Sequence, residues 1–132
     1  MEFEREILKG HIDTIILSVI NHKAMYGYEV SKNMKQMNGN FEMKQSTLYE
    51  SLKRLDKKKY LKGYWNDDER TGGGKRRYYQ ITQEGLKFLN EKVNEWSSFK
   101  KLVDNFLEVS INEWIWTGTL LVFSMNLRIW IP

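Results

Sequence analysis

A mainly helical fold with a two-stranded β-wing and a long C-terminal helix is predicted by two features of this sequence. Apolar residues recur at helical spacing as far as Leu55, give way to an aromatic-rich extended pattern over residues 60–81, and return to helical spacing from Leu86. Three consecutive glycines, Gly72-Gly73-Gly74, interrupt the extended part and supply the backbone of a turn.

The elements follow in order. Phe3, Ile7, Ile12, Ile15, Ile16, Val19 and Ile20 define one amphipathic helix from Phe3 to Ile20. Asn21–Met25 breaks that pattern, and Tyr26-Gly27-Tyr28 leads into a second helix with Val30, Met34 and Met37 on one face, stopped by Asn38-Gly39-Asn40. A third helix begins at about Gln45, buries Leu48, Leu52 and Leu55, and is capped by Ser46 or Thr47. Tyr60–Trp65 and Lys75–Ile81 read as a hairpin whose polar tip is Asn66–Gly74, with one of Tyr78 and Tyr79 in the core and the other exposed. Thr82 caps a long final helix. Its positions Leu86, Leu89, Val93, Trp96, Val103 and Leu107 make a heptad-like seam, interrupted at Lys100 with Phe99 beside it.

Composition narrows the function. At 132 residues the chain can bury a modest core, and 41% hydrophobic with 29% charged residues suits a folded protein. Zero cysteines exclude disulfides, thiolate metal sites and thiol nucleophiles. His11 and His22 read as surface or capping residues, because nothing near them completes a metal set. No nucleophile–base–orienter set is present, so neither an enzyme nor a cofactor is expected. The acidic, polar start Met1–Glu6 is no export leader, and a cytoplasmic protein is expected.

Charge is segregated. Residues 44–77 carry eleven Lys/Arg against five Asp/Glu, a net +6, whereas residues 1–43 and 78–132 are each −1. A concentrated basic patch on a near-neutral body points to a polyanion, the bland alternative being a lysine-rich solvated face.

Three short helices followed by a hairpin form a winged helix-turn-helix, assigned to residues 1–82, followed by a dimerisation helix over 83–108 and an apolar tail over 109–132. If the third helix buries its leucines, Gln45, Ser46, Tyr49, Lys53 and Arg54 face outward, where they can reach phosphates and base edges of double-stranded DNA. Lys75, Arg76 and Arg77 lie on the strand leaving the wing tip, placed for the adjacent backbone or minor groove. A winged-helix protein-interaction module without specific DNA binding is the rival reading, but it has no reason to concentrate +6 in residues 44–77.

Several stretches together resemble the PadR-type transcriptional regulators. These are Leu8-Lys9-Gly10 through Ile20, Tyr26-Gly27-Tyr28-Glu29-Val30, Ser46-Thr47-Leu48-Tyr49, Leu52-Lys53-Arg54-Leu55, and Lys75-Arg76-Arg77-Tyr78-Tyr79-Gln80-Ile81-Thr82 with Gly85. The resemblance implies a bacterial homodimer, usually a repressor, joined through its C-terminal helix. It implies recognition-helix contacts by Ser46, Thr47 and Tyr49, wing contacts by Lys75 and Arg76, and Tyr28 near the phosphates. The dimer residues would be Leu86, Leu89, Val93, Trp96, Phe99, Val103 and Phe106. Two-fold symmetry implies a roughly palindromic operator. Two positions depart from the family pattern: Glu50 stands where proline often follows the tyrosine, and Lys59 where a glycine usually ends the recognition helix.

Trp96 in Asn94-Glu95-Trp96-Ser97-Ser98 is similar to the tryptophan with which the multidrug-responsive branch of that family stacks planar drugs, which implies a planar aromatic effector. Packing as a dimer-core residue is the alternative. The tail changes composition abruptly: Ile111–Pro132 holds three of the five tryptophans and two charges, Glu113 and Arg128. Its charge-free run Trp114–Leu127 has 14 residues, short of the ~20 that a membrane helix needs. A packing element, a frameshifted extension and a membrane contact stay open for the tail, and no membrane partner is assigned.

Overall fold

The computed structural model describes the backbone of residues 5–39, 41–67 and 74–118, with side chains over 6–39, 41–67 and 74–108. Phe3, most of the wing tip, and the part of the apolar tail beyond Gly118 lie outside the described residues. The order is α1 (Arg5–Lys9), α2 (Ile12–Ile20), β1 (Met25–Tyr26), α3 (Gly27–Met37), α4 (Gln45–Lys57), β2 (Leu61–Asp67), β3 (Lys75–Ile81) and α5 (Gln83–Gly118). The mainly helical fold with its wing is therefore as expected. Contacts divide the chain into two units, residues 1–92 and 93–132.

The elements differ from expectation at several points. The first helix is two, because the chain turns at Gly10-His11, where the His11 N–H donates to the Leu8 carbonyl at 2.9 Å; glycine is a poor helix former. The wing has a third strand: Met25 and Tyr26 pair antiparallel with Tyr79 and Tyr78, giving the order β1-β3-β2. A two-residue strand is too short to leave a periodicity. No side-chain cap starts α4, whose N-cap is Lys44 rather than Ser46 or Thr47.

The core of the first unit is where the helical periods place it. Ile16, Leu17 and Ile20 of α2, Val30 and Met34 of α3, and Leu48, Leu52 and Leu55 of α4 meet Leu61 and Tyr79 of the sheet. Met37, expected with Val30 and Met34, is exposed at the last position of α3. Tyr78 and Tyr79 are both buried, contrary to the alternation. Tyr79 faces the helices. Tyr78, on the other face, is covered by its cross-strand neighbours Tyr26 and Tyr64, at ring separations of 5.4 and 5.8 Å.

The start of α5 belongs to this core. Thr82 caps it as expected, its hydroxyl accepting from the Gly85 N–H at 3.0 Å. Gly85 lies so close to the Tyr60 carbonyl that a Cβ there would collide with it. Phe88 stacks on Tyr60 at 4.4 Å. Leu89, expected on the dimer seam, is 5% exposed and packs inside its own winged helix instead, with Leu86 half-buried a turn earlier. The exposed seam begins at Val93.

Lys59 resolves one departure noted in the sequence. It adopts φ 66°, the left-handed conformation that glycine supplies without strain. The Lys59 N–H donates to the Asp56 carbonyl and the Tyr60 N–H to the Leu55 carbonyl, both at 3.0 Å, which together form a Schellman stop for α4. A lysine performs the glycine's task at a steric cost of ~1–2 kcal/mol. Lys59→Gly is therefore expected to stabilise the fold by ~1 kcal/mol, net of glycine's greater unfolded-state freedom. Denaturant melts of the two proteins check this; an unchanged or lower midpoint counts against a strained stop.

Candidate nucleic-acid interface

Burial on α4 decides which side chains can meet a partner. Leu48, Leu52 and Leu55 are fully buried and Ser51 nearly so. Gln45, Ser46, Tyr49, Glu50, Lys53, Arg54 and Lys57 are exposed, and Thr47 is half-buried on one flank. By helix geometry Ser46, Glu50, Lys53 and Lys57 lie opposite the leucines. Gln45, Tyr49 and Asp56 fall on the flank towards the wing.

Between α4, the start of α3 and the wing opens a groove of about 740 Å³. Tyr28, Tyr49, Lys53, Lys75, Arg76 and Arg77 all line it, so the structure brings together six of the residues singled out in the sequence. The Tyr49 ring lies against Gly27, where an added Cβ would come within 2.5 Å of it. A glycine at the first position of α3 is thus what lets the phenol of α4 lie across that helix start. Tyr28, stacked at 6.3 Å from Tyr26, is exposed.

Strand alternation separates the two wing arginines. Arg76 shares a face with Tyr26 and Tyr78, and its guanidinium sits 5.3 Å from the Tyr26 ring centre. Its Nε is buried without a hydrogen-bond partner. Arg77 points the other way, towards α4, and donates to Asp56 Oδ2 at 3.0 Å. Its guanidinium lies against Gly63, where a Cβ would come within 2.5 Å, and against the Trp65 and Tyr79 rings at 5.5 and 5.9 Å. The hydrogen bond with Asp56 raises the Arg77 pKa above its ordinary value, against a weaker opposing pull from burial. Arg77 is a clasp between wing and α4. Arg54 is similarly engaged, with Asp13 of α2 and with Ser51 Oγ at 3.3 Å.

Charge patterning found the cations but not their partners. The sequence assigns no site role to Asp56, Trp65, Gly27 or Gly63, because nothing local marks a residue that acts by supporting another. Lys57, not among the residues singled out, carries a signal that could have found it: it lies four residues after Lys53 on the same face.

On α5, Val93, Trp96, Phe99, Leu102, Phe106 and Leu107 are exposed and Val103 is half-buried. Trp96 and Phe99 have ring centres 6.4 Å apart. Among the described residues no group of acidic residues and histidines is placed to hold a metal, and no helix is long and apolar enough to cross a membrane.

The family model for the PadR-like transcriptional regulators matches residues 16–91, which takes in α4, the wing and the start of α5. The chain belongs to the PadR-like family. An uncharacterised protein of Lysinibacillus sphaericus is 42% identical over 104 residues, covering 78% of this chain and 94% of that one. Among solved structures, a transcriptional regulator of Clostridium thermocellum is 36% identical with a TM-score of 0.70, covering 80% of this chain and 98% of its own. A PadR-like transcriptional regulator of Bacillus cereus is 32% identical with a TM-score of 0.67, covering 77% and 96%. Membership of the PadR-like family implies DNA-binding regulation, and these structural relatives are named as regulators, not enzymes.

The clasp makes a quantitative demand. Both partners are about a third exposed, so a double-mutant cycle on Arg77→Ala and Asp56→Ala is expected to give a coupling of about 1 kcal/mol or less. Arg77→Ala alone is expected to cost more than Asp56→Ala by ~0.5–1 kcal/mol, because it also loses the faces of Trp65 and Tyr79. Equal single-mutant costs in urea melts would show that the aromatic contacts contribute nothing.

Proposed function

We propose that this PadR-like chain is a cytoplasmic repressor that binds a roughly palindromic operator as a homodimer and leaves it when a planar aromatic effector binds at Trp96. The observation that carries the DNA-binding half is the polar and cationic face of α4 continuing into the groove that Lys53, Lys75 and Arg76 line. In this reading Gln45, Ser46, Thr47 and Tyr49 address base edges and flanking phosphates. Tyr28, Lys53, Lys75 and Arg76 hold the backbone. Arg54 and Arg77, each balanced by a carboxylate, Asp13 and Asp56, contribute mainly by placing α4 and the wing.

The dimer half rests on the seam of α5. Trp96 is 47% exposed and Phe106 69%, and the apolar stripe from Val93 to Leu107 repeats at the spacing of a helix pair. A second copy covers such a stripe isologously. A tryptophan facing its symmetry mate offers two broad rings between which a planar cation gains stacking and burial. Since coupling is reciprocal, an effector that weakens operator binding is itself weakened by operator.

One titration series tests the proposal. Genomic fragments captured by the protein supply a binding site, and affinity is followed against salt. A steep fall is expected for the parent, because counterions are released. Lys75→Ala with Arg76→Ala is expected to flatten that slope and weaken all sequences alike. Planar aromatic cations are expected to release the parent but not Trp96→Ala. A salt-independent parent overturns the DNA contacts, and a Trp96→Ala protein that responds like the parent overturns the effector site.

A further inference from the structure

Glu50 stands in the middle of the outward face of α4, on the side opposite Leu48, Leu52 and Leu55 and among Ser46, Lys53 and Lys57. A carboxylate in a basic face usually pairs with a cation three or four residues on. Here the residue four on, Arg54, is turned away to Asp13 and Ser51. Glu50 makes no hydrogen bond or ion pair with any of the described residues. An anion left unpaired at the centre of a face that meets a polyanion costs affinity wherever it approaches a phosphate. It is compatible with binding only where it meets a donor.

The major groove offers two kinds of donor, the N4 amine of cytosine and the N6 amine of adenine. An ionised carboxylate accepts only, so the adenine N7 acceptor beside N6 opposes it. Guanine presents O6 and N7, both acceptors, and repels it most. Cytosine offers its amine without an adjacent acceptor on the same base. We infer that Glu50 is a specificity-determining residue that accepts a hydrogen bond from cytosine N4 in each half-site and rejects guanine at that place. This rests on the proposed reading of α4 as the helix that enters the major groove, and it adds a base preference to that reading.

Selection from a randomised duplex library, with the full chain and with Glu50→Gln and Glu50→Ala, tests it. The parent is expected to enrich a two-fold symmetric site with one column per half-site that prefers cytosine by about tenfold, the order of one good base contact. Glu50→Gln is expected to move that column towards adenine, which a carboxamide reads through N6 and N7 together. Glu50→Ala is expected to flatten the column, leave the other columns in place, and bind unrelated duplex several-fold more tightly because an anion is gone. If all three proteins select the same site, Glu50 reads no base and the inference fails, while α4 keeps its role. If the parent selects no sequence, the DNA-reading role of α4 fails first.

Discussion

The burial of Leu48, Leu52 and Leu55 against α2, α3 and the sheet is the interaction on which the rest of the site depends. A helix with a leucine stripe has one rotational setting that removes the stripe from water, and a rotation of a single residue would expose part of it. Each leucine is worth ~2–5 kcal/mol against truncation, so this setting outweighs any preference of the polar residues. The outward face is thereby a by-product of core packing. Ser46, Glu50, Lys53 and Lys57 face outward because the leucines cannot.

The wing is oriented by a second, weaker constraint. Alternation on β3 sends Arg77 towards α4 and Arg76 to the opposite face, so adjacent residues of one charge have different partners. Arg77 bridges to Asp56 over a glycine that leaves room for its guanidinium, between two aromatic rings. The tally of cations in residues 44–77 therefore exceeds the number free to meet a polyanion. Two of the arginines that make residues 44–77 basic, Arg54 and Arg77, are balanced inside the fold by Asp13 and Asp56.

Long, strongly patterned elements were legible from the sequence, and their long-range partners were not. The leucine spacing of α4, the aromatic strands of the wing and the Thr82 cap each carry a local signal, and each is where that signal puts it. The two-residue strand β1 has no period, and the pairing of Tyr26 with Tyr78 depends on a segment some fifty residues away in sequence. The heptad-like seam extends back through Leu86 and Leu89 in the sequence because the period is continuous through α5. Periodicity cannot tell burial in the chain's own core from burial against a second copy, and Leu89 belongs to the former. Lys59 shows the reverse case: a residue with no propensity for a left-handed stop takes one, because the hydrogen bonds of Lys59 and Tyr60 to the end of α4 require it.

We propose that the face of α4 opposite its leucines, continuing into the wing groove, is where this PadR-like chain meets DNA. Backbone amide shift mapping with a short mixed-sequence duplex at low salt tests it most directly. The predicted result is perturbation clustered at Tyr28, Ser46, Tyr49, Lys53, Lys75 and Arg76, with the amides of Asp13 and Leu17 on α2 unmoved. Perturbation centred on α2, or spread evenly over the surface, would contradict it.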